Sequence, residues 1–230
     1  FSYLTSIGNF GEGPEEITVM GCLAIDEAHH QLYVSDHAKQ KIFSYDMDSV
    51  MVDSLYKPQV KTAMNETLFP SEYQYINDTL SIAVLIKPTS TSTFNQFLGR
   101  WNMNTGEMIP MKYTHPDIQK KRITFAASEK AGIYVECYTR HDLMTICSLD
   151  GELLYNIYGP DWDGGNGNKL QSFGTVMIGN DKIFVSYCGE DYARDSFPTK
   201  ILVFDLEGNY LKTLETGYKI SDCCYDSFNN

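Results

Sequence analysis

The chain is short of several things, and each shortage removes a class of function. No apolar run approaches the ~20 residues a bilayer-spanning helix requires, so the sequence reads as not membrane-spanning. Basic residues are outnumbered 30 to 18 by acidic ones, leaving a net charge of −12. The densest basic stretch is Lys120-Lys121-Arg122, only three residues long, read as a solvated loop leading into a strand. A surface of that sign repels phosphate backbones, so no nucleic acid is expected as a partner. The six cysteines (Cys22, Cys137, Cys147, Cys188, Cys223 and Cys224) show no CxxC spacing, and no HxxxH partners them. A structural zinc site is therefore unsupported. Free buried thiols are the favoured reading, with Cys137 and Cys147 facing each other across a hairpin as the alternative. No segment of ten or more residues carries apolar positions at helical spacing. There is no signal-peptide pattern and no initiating Met. The sequence starts in strand-like residues at Phe1, so further chain is expected upstream.

What is present is β-forming material. Aromatic residues include 16 Tyr and 12 Phe against 2 Trp, and hydrophobic residues make up 43% of the 230 positions. Tyr and Phe suit half-buried pleated surfaces.

The chain also repeats. Four segments share a short strand, a polar turn and an apolar strand closing on Val. They are Leu23–Val34, Tyr75–Val84, Phe125–Val135 and Val176–Val185, with closing valines separated by 50, 51 and 50 residues. Each continues through a polar loop into a third strand: Lys41–Asp46, Gln96–Asn102, Leu143–Asp150 and Lys200–Asp205. A turn rich in Gly, Asn and Asp follows, residues that tolerate the positive φ of tight hairpins. Fourth strands are predicted at Val50–Leu55, Glu107–Met111, Glu152–Ile157 and Tyr210–Leu214. Four antiparallel strands every 50 or so residues select an all-β β-propeller. The expected layout is a single domain over 1–230, with an outer strand at 1–10. Blades are expected at about 17–56, 73–113, 123–158 and 173–215, and the start of a further blade at 218–230. Extending the period, six blades need roughly 300 residues, so the chain is expected to be part of a larger ring. A five-bladed ring is the rival.

The stretch Ile7-Gly-Asn-Phe-Gly-Glu-Gly-Pro-Glu-Glu16, followed by Leu23-Ala-Ile-Asp26 and Gln31-Leu-Tyr-Val-Ser-Asp36, resembles the NHL-like and TolB-like propellers. It is most similar to the six-bladed β-propeller proteins of the Bacteroidetes type. The shared pattern is a G-x-x-G-x-G-P-x-E loop leading into a blade. Only the first repeat carries it in full: Asn77 and Ala127 stand near the place of Asp26 in later repeats. The resemblance implies an exported protein, periplasmic or at the cell surface, and a lipoprotein anchored upstream in many cases. It implies binding scaffolds as well as metal-dependent lactonases and esterases, so function is not settled by fold.

In a meander whose innermost strand comes first, the loops between second and third strands share a face with the blade-to-blade crossings. Binding is expected there. The loops are 36–41, 87–95, 138–142 and 187–198; the crossings are 11–16, 57–71, 114–121 and 161–172. Candidate ligand-contacting residues are Asp36, His37, Arg140, His141, Asp142, Trp162, Glu190, Asp191, Tyr192 and Arg194. Asp36, His141 and Glu190 are the donors a channel metal would use. Asp161, Asp163 and Asn166 are weak candidates for Ca²⁺ in a Gly-rich turn that departs from the EF-hand pattern. Trp162 suits ligand stacking or a lid on the blade edge. Gly11-Glu-Gly-Pro14 lacks a following helix and a Lys-Ser/Thr pair, so a backbone turn is expected rather than a phosphate cradle. His29-His30 falls in a turn on the opposite face. Asn65-Glu-Thr67 and Asn77-Asp-Thr79 are glycosylation sequons only in a secreting eukaryote.

Two functions follow. The favoured one is a non-catalytic module binding a protein, peptide or glycan through the loop face, with no cofactor. The alternative is a hydrolase with a metal ion in the central channel.

Overall fold

Turn chemistry sets the first level of structure. Gly106, Gly151 and Gly208 sit between third and fourth strands with φ of 75°, 86° and 84°, the left-handed region that tight reversals demand. Alternating apolar residues on either side then pair into meanders. The computed structural model describes residues 3–53, 55–119, 121–166, 170–191 and 197–226. Among them lie four sheets of four antiparallel strands, each joined in sequence order.

The chain divides into two units, Phe1–Pro110 and Met111–Asn230. The first holds β1 (Met20–Asp26), β2 (Gln31–Asp36), β3 (Lys41–Asp46) and β4 (Gln59–Ala63), then β5 (Phe69–Asn77), β6 (Leu80–Pro88), β7 (Phe94–Trp101) and β8 (Met108–Pro110). The second holds β9 (Ile123–Ser128), β10 (Ile133–Tyr138), β11 (Leu143–Ser148) and β12 (Leu153–Tyr158). Its other sheet is β13 (Leu170–Gly179), β14 (Lys182–Asp191), β15 (Lys200–Phe204) and β16 (Tyr210–Glu215). Among the described residues no helix is long and apolar enough to cross a membrane.

Within each unit the two sheets meet face to face through their first strands, as neighbouring propeller blades do. The Cys22 thiol donates to the Tyr73 carbonyl at 3.2 Å, and the Thr124 hydroxyl donates to the Gly174 carbonyl. These partners lie about one period apart in sequence. The apolar layer of the first unit includes Tyr33, Tyr73, Leu85 and Trp101; that of the second includes Val135, Ile146, Phe173 and Val185. The same geometry continues past β16. Thr175 donates to the Asp222 carboxylate at 2.8 Å, and Tyr225 stacks on Phe184 with centroids 5.5 Å apart. Residues 220–226 thus lie on the fourth sheet as β5 lies on β1, although they form no strand.

Three expectations need correction. The first blade's fourth strand is not Val50–Leu55: Met47–Val52 is a short helix, α1, whose N-cap Asp46 accepts from the Ser49 amide at 2.7 Å. A capping Asp one residue before the turn, with Asp48 in the first turn, favours helix over ladder. The edge of β3 is taken instead by β4, with Lys41 opposite Ala63. Residues 57–71 are accordingly mostly strand, not an open crossing. Residues 3–7 form no strand, because no ladder partner lies beside them among the described residues. The cysteines follow the favoured reading: Cys137 pairs with Met144 and Cys147 with Tyr134, and all six are free thiols.

The valine spacing also conceals a slip. Counted from the hairpin pairs Asp26–Gln31 and Ser128–Ile133, Val135 stands where Tyr33 stands, and Glu136 stands where Val34 does. A shift of one residue exchanges the faces of a strand. Val34 packs with Ile17, Phe43 and Tyr45, away from the second sheet, whereas Val135 packs towards the fourth. Glu136 therefore occupies a buried position, only 1% exposed, and is neutralised by Lys121 at 2.6 Å.

Candidate functional site

The first loop cluster is built around Asp36. It is fully buried and accepts four backbone N–H groups: Thr18 at 2.7 Å, Val19 at 3.2 Å, Ala38 at 3.0 Å and Lys39 at 3.1 Å. Burial opposes the charge, but the four donors outweigh it and hold the carboxyl below the usual range. Asp36 thus spends its oxygens tying the loop to the preceding crossing. The Lys39 ammonium completes the knot by donating to the Gly13 and Glu16 carbonyls. The Gly-rich turn has its own anion: Gly13 N–H donates to the Glu16 carboxylate at 2.7 Å, and a Cβ at Gly11 would overlap that carboxylate. His37 lies over Gly21, its Nε2 buried with no hydrogen-bond partner among the described residues.

The second cluster lies in the Met111–Asn230 unit, and it brings together Arg140, His141, Asp142 and Trp162 of the expected residues. The β10–β11 loop carries Arg140, His141 and Asp142; the crossing after β12 carries Asp161, Trp162 and Asp163. The two are laced together by Asp142, which accepts the Asp161 amide at 3.0 Å and whose own carbonyl accepts the Gly159 amide at 2.9 Å. Burial pushes the Asp142 carboxyl up, the nearby Asp161 charge adds to this, and hydrogen bonds from Asp161 N–H and the Tyr187 hydroxyl work against it. Tyr187 is correspondingly pushed up to about 12, first by burial and then by Asp142 and Asp161.

Trp162, half-buried, stands at the centre of this cluster. Its ring meets His115, Tyr158 and His141 at centroid distances of 5.4, 5.1 and 6.2 Å, with interplanar angles of 66°, 53° and 63°. Tyr138 closes on the far side of His141 at 6.4 Å. His115 is 2% exposed, and burial lowers its pKa. Its Nδ1 accepts the Asp117 amide at 3.3 Å, so Nε2 carries the proton and donates to the Tyr158 hydroxyl at 3.1 Å. His141 is 9% exposed; its Nδ1 has no hydrogen-bond partner among the described residues and lies 3.7 Å from the Asp163 carboxylate.

The remaining candidates are elsewhere. Glu190 and Asp191 sit exposed at the end of β14, paired with Gln171 and Leu170. Tyr192 and Arg194 lie outside the described residues. Asp163 accepts the Gly165 amide at 3.0 Å and Asn166 donates towards the Gly164 carbonyl, so both serve the turn itself. Among the described residues no group of three His, Cys, Asp or Glu is arranged to hold a metal ion. Sequence reasoning missed His115, Tyr158 and Tyr187. His115-Pro116 inside the expected 114–121 crossing was the available signal for the first.

Comparison with known proteins is consistent with this architecture. The model of the DUF5128 family, described as a 6-bladed beta-propeller, matches residues 2–87. A member of the duf4221 family from Bacteroides vulgatus superposes with a TM-score of 0.58 at 9% identity, over 91% of this chain and 70% of that one. A protein of unknown function from Bacteroides caccae matches with a TM-score of 0.47 at 12% identity, over 86% of this chain and 61% of that one. Apo AztD from Citrobacter koseri gives 0.47 at 11%, over 89% and 49%. The chain thus spans about half to two thirds of the length of these structures. No curated protein matches the sequence. With four sequential antiparallel meanders, the two in each unit packed through their first strands, the chain is an all-β protein made of β-propeller blades.

Proposed function

We propose that the protein is a non-catalytic binding module that recognises a protein, peptide or glycan through its loop face, with Trp162 as the centre of contact. One observation carries this reading: a half-buried indole held edge-on by His115, Tyr158 and His141 on two laced loops. Large rings at fixed positions supply contact area at little conformational cost, and an indole with an accessible part is a platform for stacking. The surrounding bonds, Asp142 to Asp161 N–H and His115 to Tyr158, preorganise the loops, so little ordering remains to be lost on binding.

Glycan and peptide arrays probed with the intact protein test the proposal. A ligand whose binding is lost in Trp162→Ala, with the far-ultraviolet spectrum unchanged, is the expected result; arrays without any Trp162-dependent ligand would remove the reading. The hydrolase alternative is tested on the same preparation. Stoichiometric metal by elemental analysis, together with lactone or ester turnover, would replace binding by catalysis. Location outside the cytoplasm is part of the proposal and rests on the sequence resemblance; fractionation leaving the protein in the cytosol would overturn it.

A further inference from the structure

We infer that the Trp162 site takes a cationic group, the ammonium or guanidinium of a basic residue in a peptide or protein partner; this rests on the binding reading above. Four carboxylates gather on the loops that hold the indole. Asp161 and Asp163 flank it in sequence, Asp142 is bonded to the Asp161 amide, and Asp117 donates its amide to His115 and abuts Gly165. Asp161 and Asp117 are exposed and Asp163 is 38% exposed, so their charge reaches solvent. The whole chain adds to that field with its net charge of −12.

His115 is buried, and its Nδ1 acts as an acceptor, so the ring is neutral where it meets Trp162. Arg140, in the same loop as His141, is half-buried and already engaged.

The acidic cluster alone would not define a ligand. The second observation is His141, more than nine-tenths buried, whose Nδ1 has no hydrogen-bond partner among the described residues. That nitrogen faces the Asp163 carboxylate across 3.7 Å, too long for a direct hydrogen bond. A buried polar atom with no partner is costly. With the His141 proton on Nε2, Nδ1 and the Asp163 carboxylate are two acceptors that one group carrying several N–H bonds completes, and an ammonium or guanidinium is such a group. The third observation is the indole, the aromatic ring with the strongest attraction for a cation on its face. Carboxylates, an unsatisfied nitrogen and a tryptophan on one pair of loops thus call for the same ligand chemistry. A neutral sugar would use the ring but leave the carboxylates without a role.

The experiment uses the full chain labelled with 5-fluorotryptophan. Its two tryptophans give two fluorine resonances, and Trp162→Phe assigns them; Trp101, 1% exposed, is the internal reference. Probes are capped hexapeptides differing at one position (Lys, Arg, norleucine or citrulline), an acidic hexapeptide and neutral oligosaccharides. The expected result is a shift of the Trp162 resonance by the Lys and Arg peptides, with the uncharged versions at least about fivefold weaker. Binding weakens as salt rises from about 0.05 to 0.5 M. Asp161→Asn and Asp163→Asn each weaken it about two- to fivefold, while Asp181→Asn, which removes a carboxylate paired with Lys130 on the β13–β14 turn, leaves it unchanged. Oligosaccharides or the acidic peptide shifting the same resonance as strongly as the basic peptides would overturn the cationic assignment and leave the binding reading standing. Silence from every probe would overturn both.

Discussion

Asp36→Asn isolates what a single buried carboxylate contributes to the loop face. In the wild type, one oxygen accepts Thr18 N–H and the other accepts Val19, Ala38 and Lys39 N–H. Asparagine can keep the oxygen that serves three donors, but its NH₂ group then meets the Thr18 amide donor to donor. An orphaned buried N–H costs about 1–3 kcal/mol, and three charge-assisted bonds reduced to neutral ones lose roughly 0.5 kcal/mol each. The expected loss is therefore about 3 kcal/mol. It is read as a lower urea midpoint at neutral pH with the m-value unchanged, and as faster amide exchange at Thr18, Val19, Ala38 and Lys39.

The pH dependence carries a definite sign. The folded carboxyl is held below its unfolded value, so the unfolded chain takes up the proton first as pH falls. The stabilisation is intact at neutral pH and drains away as pH falls below about 4, through the depressed folded value. Asp36→Asn lacks that component, so its stability declines less steeply than wild type in the same window. A loss under about 1 kcal/mol, with the four amides protected as before, would refute the reasoning: the loop would then be holding itself.

Two further perturbations test the blades. Lys121→Met strands Glu136, 1% exposed, with the Tyr138 hydroxyl as its remaining side-chain partner among the described residues, and should cost about 3–5 kcal/mol in chemical denaturation. Adding Glu136→Val should restore most of it, since Val34 fills the matching place in the first blade; additive losses in the double variant would count against that equivalence. Gly179→Ala puts a Cβ into the Tyr225 ring, which stacks on Phe184, and should cost about 1–3 kcal/mol. Limited proteolysis should then cut within residues 218–226 sooner than in wild type, and an unchanged rate would show that this packing does not hold the segment.

Much of the fold is written locally. Period-2 apolar alternation and left-handed Gly at the third-to-fourth turns are properties of a few neighbouring residues, and they specify each hairpin whatever else surrounds it. The loops that carry His141, Asp142 and Trp162 could be located for the same reason, since the order of strands places them on one face. The local signal failed where two local preferences competed: at Met47–Val52 an Asp cap and an acidic first turn outweighed apolar residues that also suited a strand.

Tertiary structure decided the rest, because it depends on partners far apart in the chain. Val135 and Val34 look equivalent in spacing, yet hairpin length turns them to opposite faces and leaves Glu136 to be neutralised inside. Asp36 looks like a loop ligand and is an anchor, because the crossing 17–18 residues before it supplies two of its four donors. His115 and Tyr158, 43 residues apart, join only when the crossing before β9 meets the end of β12. The sequence by itself determined a repeating four-stranded blade and where in each repeat its loops fall. Packing between distant segments determined which of those loop residues are spent on holding the fold, as Asp36 is, and which are gathered around Trp162.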